Sequence, residues 1–143
     1  MTVFVDTGLF YAVQGTGTAR HETAKEALST VLEGPYGRAL TTNYIVEEAA
    51  TLVRSRSGDV TQAKRVIDRI LGRGSYPDVF ELHHVDPSLF RRGIETVERY
   101  DDHELSLTDA TTIALVESAN IDHVLAFDDD FDGIVDRLDP RDL

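Results

Sequence analysis

The sequence contains no cysteine. That absence excludes a disulfide scaffold, a thiol nucleophile and cysteine-ligated zinc. No apolar run approaches the roughly 18 residues a membrane-spanning helix requires. There is no internal repeat, low-complexity tract or Ser–His signature of a nucleophilic hydrolase. The first residues lack the basic start of a signal peptide and read as a strand ending in an acid. They are expected to belong to the fold, and the protein to be cytoplasmic. Lysine is nearly missing: Lys25 and Lys64 are the only two, beside 12 Arg, 16 Asp and 10 Glu. The net charge of −12 with few lysines fits a surface adapted to a salty cytoplasm. Such a charge repels nucleic acid at low ionic strength. At molar salt the Debye length falls to about 3 Å, so an RNA substrate is not excluded.

What is present is a chain of 143 residues, of a size to bury one core. Residues 2–5 read as a buried strand. Residues 8–13 and 19–33 read as helices, with Gly15-Thr16-Gly17 between them and Gly34-Pro35 as a stop. Residues 38–40 suggest a second strand and 43–56 a helix ending before Gly58. Asp59 starts another helix, with Gln62 as its capping-box partner, ending near Gly72. A strand is expected over 79–85. Asp86-Pro87 then opens a helix to about Tyr100. Ser106 caps a helix to about Ala119, and 123–127 form a further strand. The alternation implies one α/β domain over residues 1–143. Its mostly parallel sheet of about four to five strands should carry helices on both faces.

Four acids fall at the junctions of this plan: Asp6 after the first strand, Glu48 early in a helix, Asp109 at a helix start and Asp128 after a late strand. Ligands of parallel sheets sit at the carboxyl ends of strands, so the four can converge. Each has a simpler reading. Asp6 can cap the next helix, Asp109 can form a capping box with Ser106, and Asp128 can be a turn residue. Glu48 is more telling. On a helical wheel it lies at the edge of the stripe formed by Ile45, Val46, Ala49, Leu52 and Val53, whereas Glu47 faces away. Two carboxylates about 5 Å apart repel by roughly 3 kcal/mol at an effective dielectric near 20. A gathering of four therefore calls for a cation or raised pKa values. Oxygen-only ligands select Mg²⁺ or Mn²⁺, and an open site of that kind suits phosphoryl-transfer chemistry.

One segment runs against the overall charge. Arg54, Arg56, Lys64, Arg65, Arg69 and Arg73 face only Asp59 and Asp68. Such a patch suits substrate phosphates, an acidic partner or plain solvation.

At Val3-Phe4-Val5-Asp6-Thr7, Thr42-Asn43-Tyr44-Ile45-Val46-Glu47-Glu48, Leu107-Thr108-Asp109-Ala110 and Leu125-Ala126-Phe127-Asp128-Asp129-Asp130-Phe131 the sequence resembles PIN-domain nucleases, most of all VapC-type toxins. The resemblance spans nearly the whole chain. It implies Mg²⁺- or Mn²⁺-dependent cleavage of RNA. It carries the family's acidic quartet onto Asp6, Glu48, Asp109 and Asp128, and a helix-start hydroxyl onto Thr108. It further implies a homodimer and, for toxin members, an antitoxin that blocks the site. Gly8 departs from the serine of many relatives. A stand-alone RNA-processing nuclease and a PIN fold used as a scaffold fit the same motifs. From another class, Asp128 to Asp139 matches a calcium-binding EF-hand loop, though its flanks read as a strand and a short tail. A phospho-acceptor receiver domain would need a late lysine, and both lysines are early.

Overall fold

A computed structural model describes residues 1–34 and 36–143. Val3, Phe4 and Val5 are apolar in succession, and all three are fully buried. Successive strand side chains point to opposite faces, so strand β1 (Thr2–Val5) is covered on both. Helices α1 (Thr7–Gln14) and α2 (His21–Glu33) follow, then strand β2 (Arg38–Thr42). Next come α3 (Asn43–Ser57), α4 (Val60–Leu71), strand β3 (Phe80–His83), α5 (Pro87–Arg99) and α6 (Leu107–Ala119). Strands β4 (His123–Leu125) and β5 (Arg137–Leu138) complete the sheet. Its order is β3-β2-β1-β4-β5, and every pairing is parallel. Helix α1 packs against α2, α3 and α4, and α5 packs against α6. No helix among the described residues is long and apolar enough to cross a membrane.

Helix boundaries follow their local chemistry. Asp59, Asp86 and Ser106 cap α4, α5 and α6 with side-chain oxygens. Gly58 and Gly72 end α3 and α4 in the left-handed region at φ 68°. Gln62 is not the capping partner the spacing suggests. Its Oε1 accepts instead from Gln14 Nε2 at 2.7 Å, tying α4 to α1. The strand expected over 79–85 stops at His83, because the Val85 amide donates to the Asn43 side chain at 2.7 Å rather than to the sheet. Strand β2 runs two residues past Leu40, and β4 ends at Leu125, two residues short of the expected Phe127. Pro35, half of the expected Gly34-Pro35 stop, lies outside the described residues. Strand β5 is an addition with almost no sequence signal, being two residues long. The α5–α6 contact is close at Gly93, where a Cβ would meet Thr111 Cγ2 at 2.6 Å.

The region 128–139 is not an EF-hand. It runs from β4 into a 3-10 turn (Asp129–Phe131) and on to β5, and only a three-residue 3-10 turn (Pro140–Asp142) follows, so neither flank is an α-helix. Arg137 and Arg141 pair with Asp132 and Asp139, two of the acids such a loop would need free.

Candidate metal centre

The sheet order reverses between β1 and β4, since β1 continues to β2 and β3 on one side and to β4 and β5 on the other. A crevice at that switch point is the expected ligand site of a parallel sheet. The Asp6 amide donates to Leu125 O at 3.1 Å, so the ends of β1 and β4 are fixed to each other there. A cleft of about 1060 Å³ opens at this edge and is lined by Asp6, Glu48, Asp109 and Asp128 among others.

Each acid is delivered by a different local device. Asp6 stands at the N-cap of α1 in extended conformation, yet its side chain makes no capping bond. It is 6% exposed, and its Oδ1 has no hydrogen-bond partner among the described residues. The simple reading as a helix cap therefore does not account for it. Asp109 does form a capping box: its amide donates to Ser106 Oγ at 3.0 Å and its Oδ2 accepts from the Ser106 amide at 3.3 Å. That box holds the carboxyl at the cleft wall, so structural and site roles coincide. Asp128 Oδ1 accepts from the Asp130 amide at 2.9 Å, which fixes the turn after β4. Glu48 is half-buried beside Leu52 on the cleft side of α3. Glu47 is exposed and accepts from Thr51 Oγ1 at 2.8 Å.

The electrostatics records the convergence. Burial pushes the Asp6 carboxyl up to about 8. Repulsion from Asp109 adds to this, the Thr7 amide offsets part, and Glu48 and Asp128 contribute further. Asp109 is raised to about 6, again chiefly by burial, with Ser106 opposing and Glu48 and Asp128 adding. The tightest carboxylate trio among the described residues shares only Asp128 with these four: oxygens of Asp128, Asp129 and Asp130 lie within 4.8 Å of one another. Asp128 and Asp129 are exposed, and such neighbours are readily screened by water. Asp6, buried and with its Oδ1 unpartnered, makes the stronger demand for a cation. The donor set is all oxygen and strongly acidic, which suits a hard divalent cation. Asp6 and Asp109 would be the principal holders, with Glu48 and Asp128 in direct or water-bridged contact.

Several wall residues had no sequence signal. Arg137 donates from Nε to Asp132 Oδ1 at 2.7 Å and from Nη1 to Ala126 O at 3.0 Å, clamping the Asp128 loop to β5. Arg141 pairs with Asp139, holding that carboxyl down to about 2. The Arg20 guanidinium lies over the Phe127 ring at 4.7 Å. Ser106, the N-cap of α6, also lines the cleft. The Thr108 carbonyl accepts from Thr111 Oγ1 at 2.8 Å. Of the basic segment, Arg56 reaches the cleft, Arg65 and Arg69 line a neighbouring cavity, and Arg54 lines neither.

The sequence matches the PIN domain family over residues 3–136. The chain belongs to that family. The 23S rRNA-specific endonuclease VapC20 of Mycobacterium tuberculosis is 31% identical over 129 residues, covering 90% of this chain and 91% of that one. The crystal structure of VapC20, described as a sarcin–ricin-loop-cleaving toxin, superposes with a TM-score of 0.79 over 93% of this chain and 96% of that one. A VapC ribonuclease of Archaeoglobus fulgidus is 24% identical over 132 residues, 92% of this chain and 80% of the relative. A toxin–antitoxin complex from Klebsiella pneumoniae shares the fold at 16% identity, with a TM-score of 0.65 over 96% of this chain and 97% of that one.

Proposed function

We propose that the protein is a divalent-metal-dependent endoribonuclease and the toxin of a VapBC-type toxin–antitoxin pair. The observation that carries this reading is the buried Asp6 carboxyl, without a hydrogen-bond partner at Oδ1 and surrounded by Asp109, Glu48 and Asp128 in an open cleft. Bound there, Mg²⁺ or Mn²⁺ supplies Lewis-acid activation of water and neutralises charge on the scissile phosphate. The chain's own part is to hold and orient. Asp6 and Asp109 would hold the cation. Glu48 or Asp128 would orient the attacking water and take its proton as the phosphorus–oxygen bond to the leaving group breaks, with that oxygen protonated from solvent. No protein nucleophile is involved, in keeping with the absence of cysteine. The relatives' names support RNA as substrate, and they make the sarcin–ricin loop of 23S rRNA the first target to test. The same likeness supports a cytoplasmic homodimer held in check by a small antitoxin. Association of two protomers this acidic should strengthen as salt screens their repulsion.

The test is cleavage of an RNA hairpin carrying the sarcin–ricin loop, read on a denaturing gel. Cleavage with Mg²⁺ or Mn²⁺ that stops with EDTA and in Asp109→Asn supports the reading. Undiminished cleavage in both conditions would overturn it. Co-purification with a small partner from the native host distinguishes a toxin from a stand-alone nuclease.

A further inference from the structure

Beside the carboxylate cleft lies a second cavity of about 770 Å³, between α1, α3 and α4. The two share Tyr11 and Arg56 on their walls, so they adjoin. Its cations are Lys25, Arg56, Arg65 and Arg69. Five arginines pair with acids: Arg38 with Glu81, Arg73 with Asp68, Arg99 with Glu117, Arg137 with Asp132 and Arg141 with Asp139. Lys25 pairs with Glu22. Among the described residues Arg20, Arg54, Arg56, Arg65, Arg69, Arg91 and Arg92 have no such partner, and Arg56, Arg65 and Arg69 of these line the second cavity.

Three of the unpaired arginines, all lining one cavity or the other, are held in another way. Arg20 lies over Phe127 at 4.7 Å, Arg56 over Tyr11 at 5.2 Å and Arg69 over Tyr76 at 4.9 Å. A guanidinium on an aromatic face is oriented without surrendering its charge to a carboxylate, and its in-plane N–H groups stay available. Arg69 uses one of them on Gln14 Oε1, at 3.5 Å. Oriented, uncompensated guanidinium groups beside aromatic rings suit the phosphates and bases of a single strand. Their path leads from the carboxylate cleft, through Arg56, into the second cavity.

We infer that the second cavity is a subsite for the RNA strand flanking the scissile phosphate, with Arg56 at the junction and Arg65 and Arg69 binding backbone phosphates. The inference rests on the ribonuclease reading but concerns a different set of residues. It adds strand-holding contacts beyond the carboxylates, on a protein whose overall charge opposes RNA.

The experiment measures binding apart from cleavage. A fluorescein-labelled single-stranded RNA is titrated in Mg²⁺ with protein in the Asp109→Asn background, which should not cleave it, across a KCl series, by anisotropy. Arg65→Gln/Arg69→Gln is compared with Arg91→Gln/Arg92→Gln on α5, which makes the same charge change outside both cavities. The first pair should weaken binding about tenfold and flatten the salt slope by about 1.4, the value for two lost phosphate contacts on a single strand. The control pair should stay within about twofold. Arg65→Gln alone, at an exposed position, serves if the double variant does not fold and should lower the slope by about 0.7. Equal weakening by both pairs would reduce the effect to net charge and overturn the subsite. So would no RNA binding by the parent, or polyglutamate binding in place of RNA, which would make the cavity a protein-docking site. Cleavage by wild type with Mg²⁺ is scored separately, so a failed subsite leaves the nuclease reading standing, and the reverse.

Discussion

Replacing Asp6 by Asn in the metal-free protein should change stability in a pH-dependent way. The Asp6 carboxyl titrates near 3.8 when unfolded and is pushed up to about 8 in the fold. A raised folded pKa means the native state binds the proton that the unfolded chain has already lost. The native state is therefore favoured at low pH, and that advantage drains away as pH rises from about 4 through 8. Raising a pKa by one corresponds to about 1.4 kcal/mol, so between about pH 5 and pH 8 the wild type should lose up to about 4 kcal/mol through this group. Relaxation and coupling to Asp109 reduce that ceiling, and about 2 kcal/mol is a fair lower expectation. Asn does not titrate. Its unfavourable packing, with Oδ1 still short of a partner, is the same at every pH. The stability difference between variant and wild type should thus move in favour of the Asp6→Asn variant by about 2–4 kcal/mol over that range. Urea unfolding in EDTA at fixed salt measures it. Saturating Mg²⁺ should restore the wild type at high pH and leave the variant nearly unaffected. A difference that stays flat or falls with pH would refute the claim that Asp6 is a charge buried against its neighbours.

Three further outcomes follow from the same geometry. Asp109→Asn should abolish cleavage while leaving urea stability unchanged or higher, because Asn can still accept the Ser106 amide in the capping box; a large loss of stability would show that the carboxylate is mainly structural. Glu48→Gln should lower cleavage strongly while Glu47→Gln is silent, since only Glu48 lines the cleft; equal losses in single-turnover assays would contradict the helical-face assignment. Gly93→Ala should destabilise by about 1–3 kcal/mol despite the better helix propensity of alanine, because its Cβ would lie 2.6 Å from Thr111 Cγ2 and press α5 off α6; an unchanged midpoint in urea would show that the helix pair yields freely.

The legible parts of this fold were those set by short-range chemistry. Asp86-Pro87, Ser106 and Gly72 announce helix ends because caps and left-handed turns act on neighbouring residues. Glu48 could be separated from Glu47 because the helical period alone decides which faces inward. Strand lengths were less legible, since they depend on distant partners. The Asn43 side chain that takes the Val85 amide lies 42 residues away in sequence, and β5 exists only because Val124 and Leu125 find Arg137 and Leu138 beside them. For the same reason Arg20 and Arg137 could not be read as wall residues. Nothing local says that one lies over Phe127 or that the other clamps the Asp128 loop.

The division of charge explains how an acidic chain can serve an anionic substrate. A carboxylate cluster repels RNA until a cation occupies it, so strand-binding cations must stand close by without collapsing onto the acids. Arg137 shows what that collapse looks like. It is almost buried, pairs with Asp132 and Asp139, and serves to fix a loop. Arg20, Arg56 and Arg69 avoid it by lying on Phe127, Tyr11 and Tyr76, three rings that hold them in place but give no counter-charge. Removing a ring should therefore act differently from removing the charge above it. Tyr76→Leu would keep the cation and much of the apolar contact but release Arg69 to search for an acid. RNA binding in the Asp109→Asn background should weaken, by a few-fold for the lost stacking of about 1 kcal/mol, with less change in salt slope than Arg69→Gln produces. The two variants share a location and differ in charge, so equal slopes would show that the ring does not act by positioning the guanidinium.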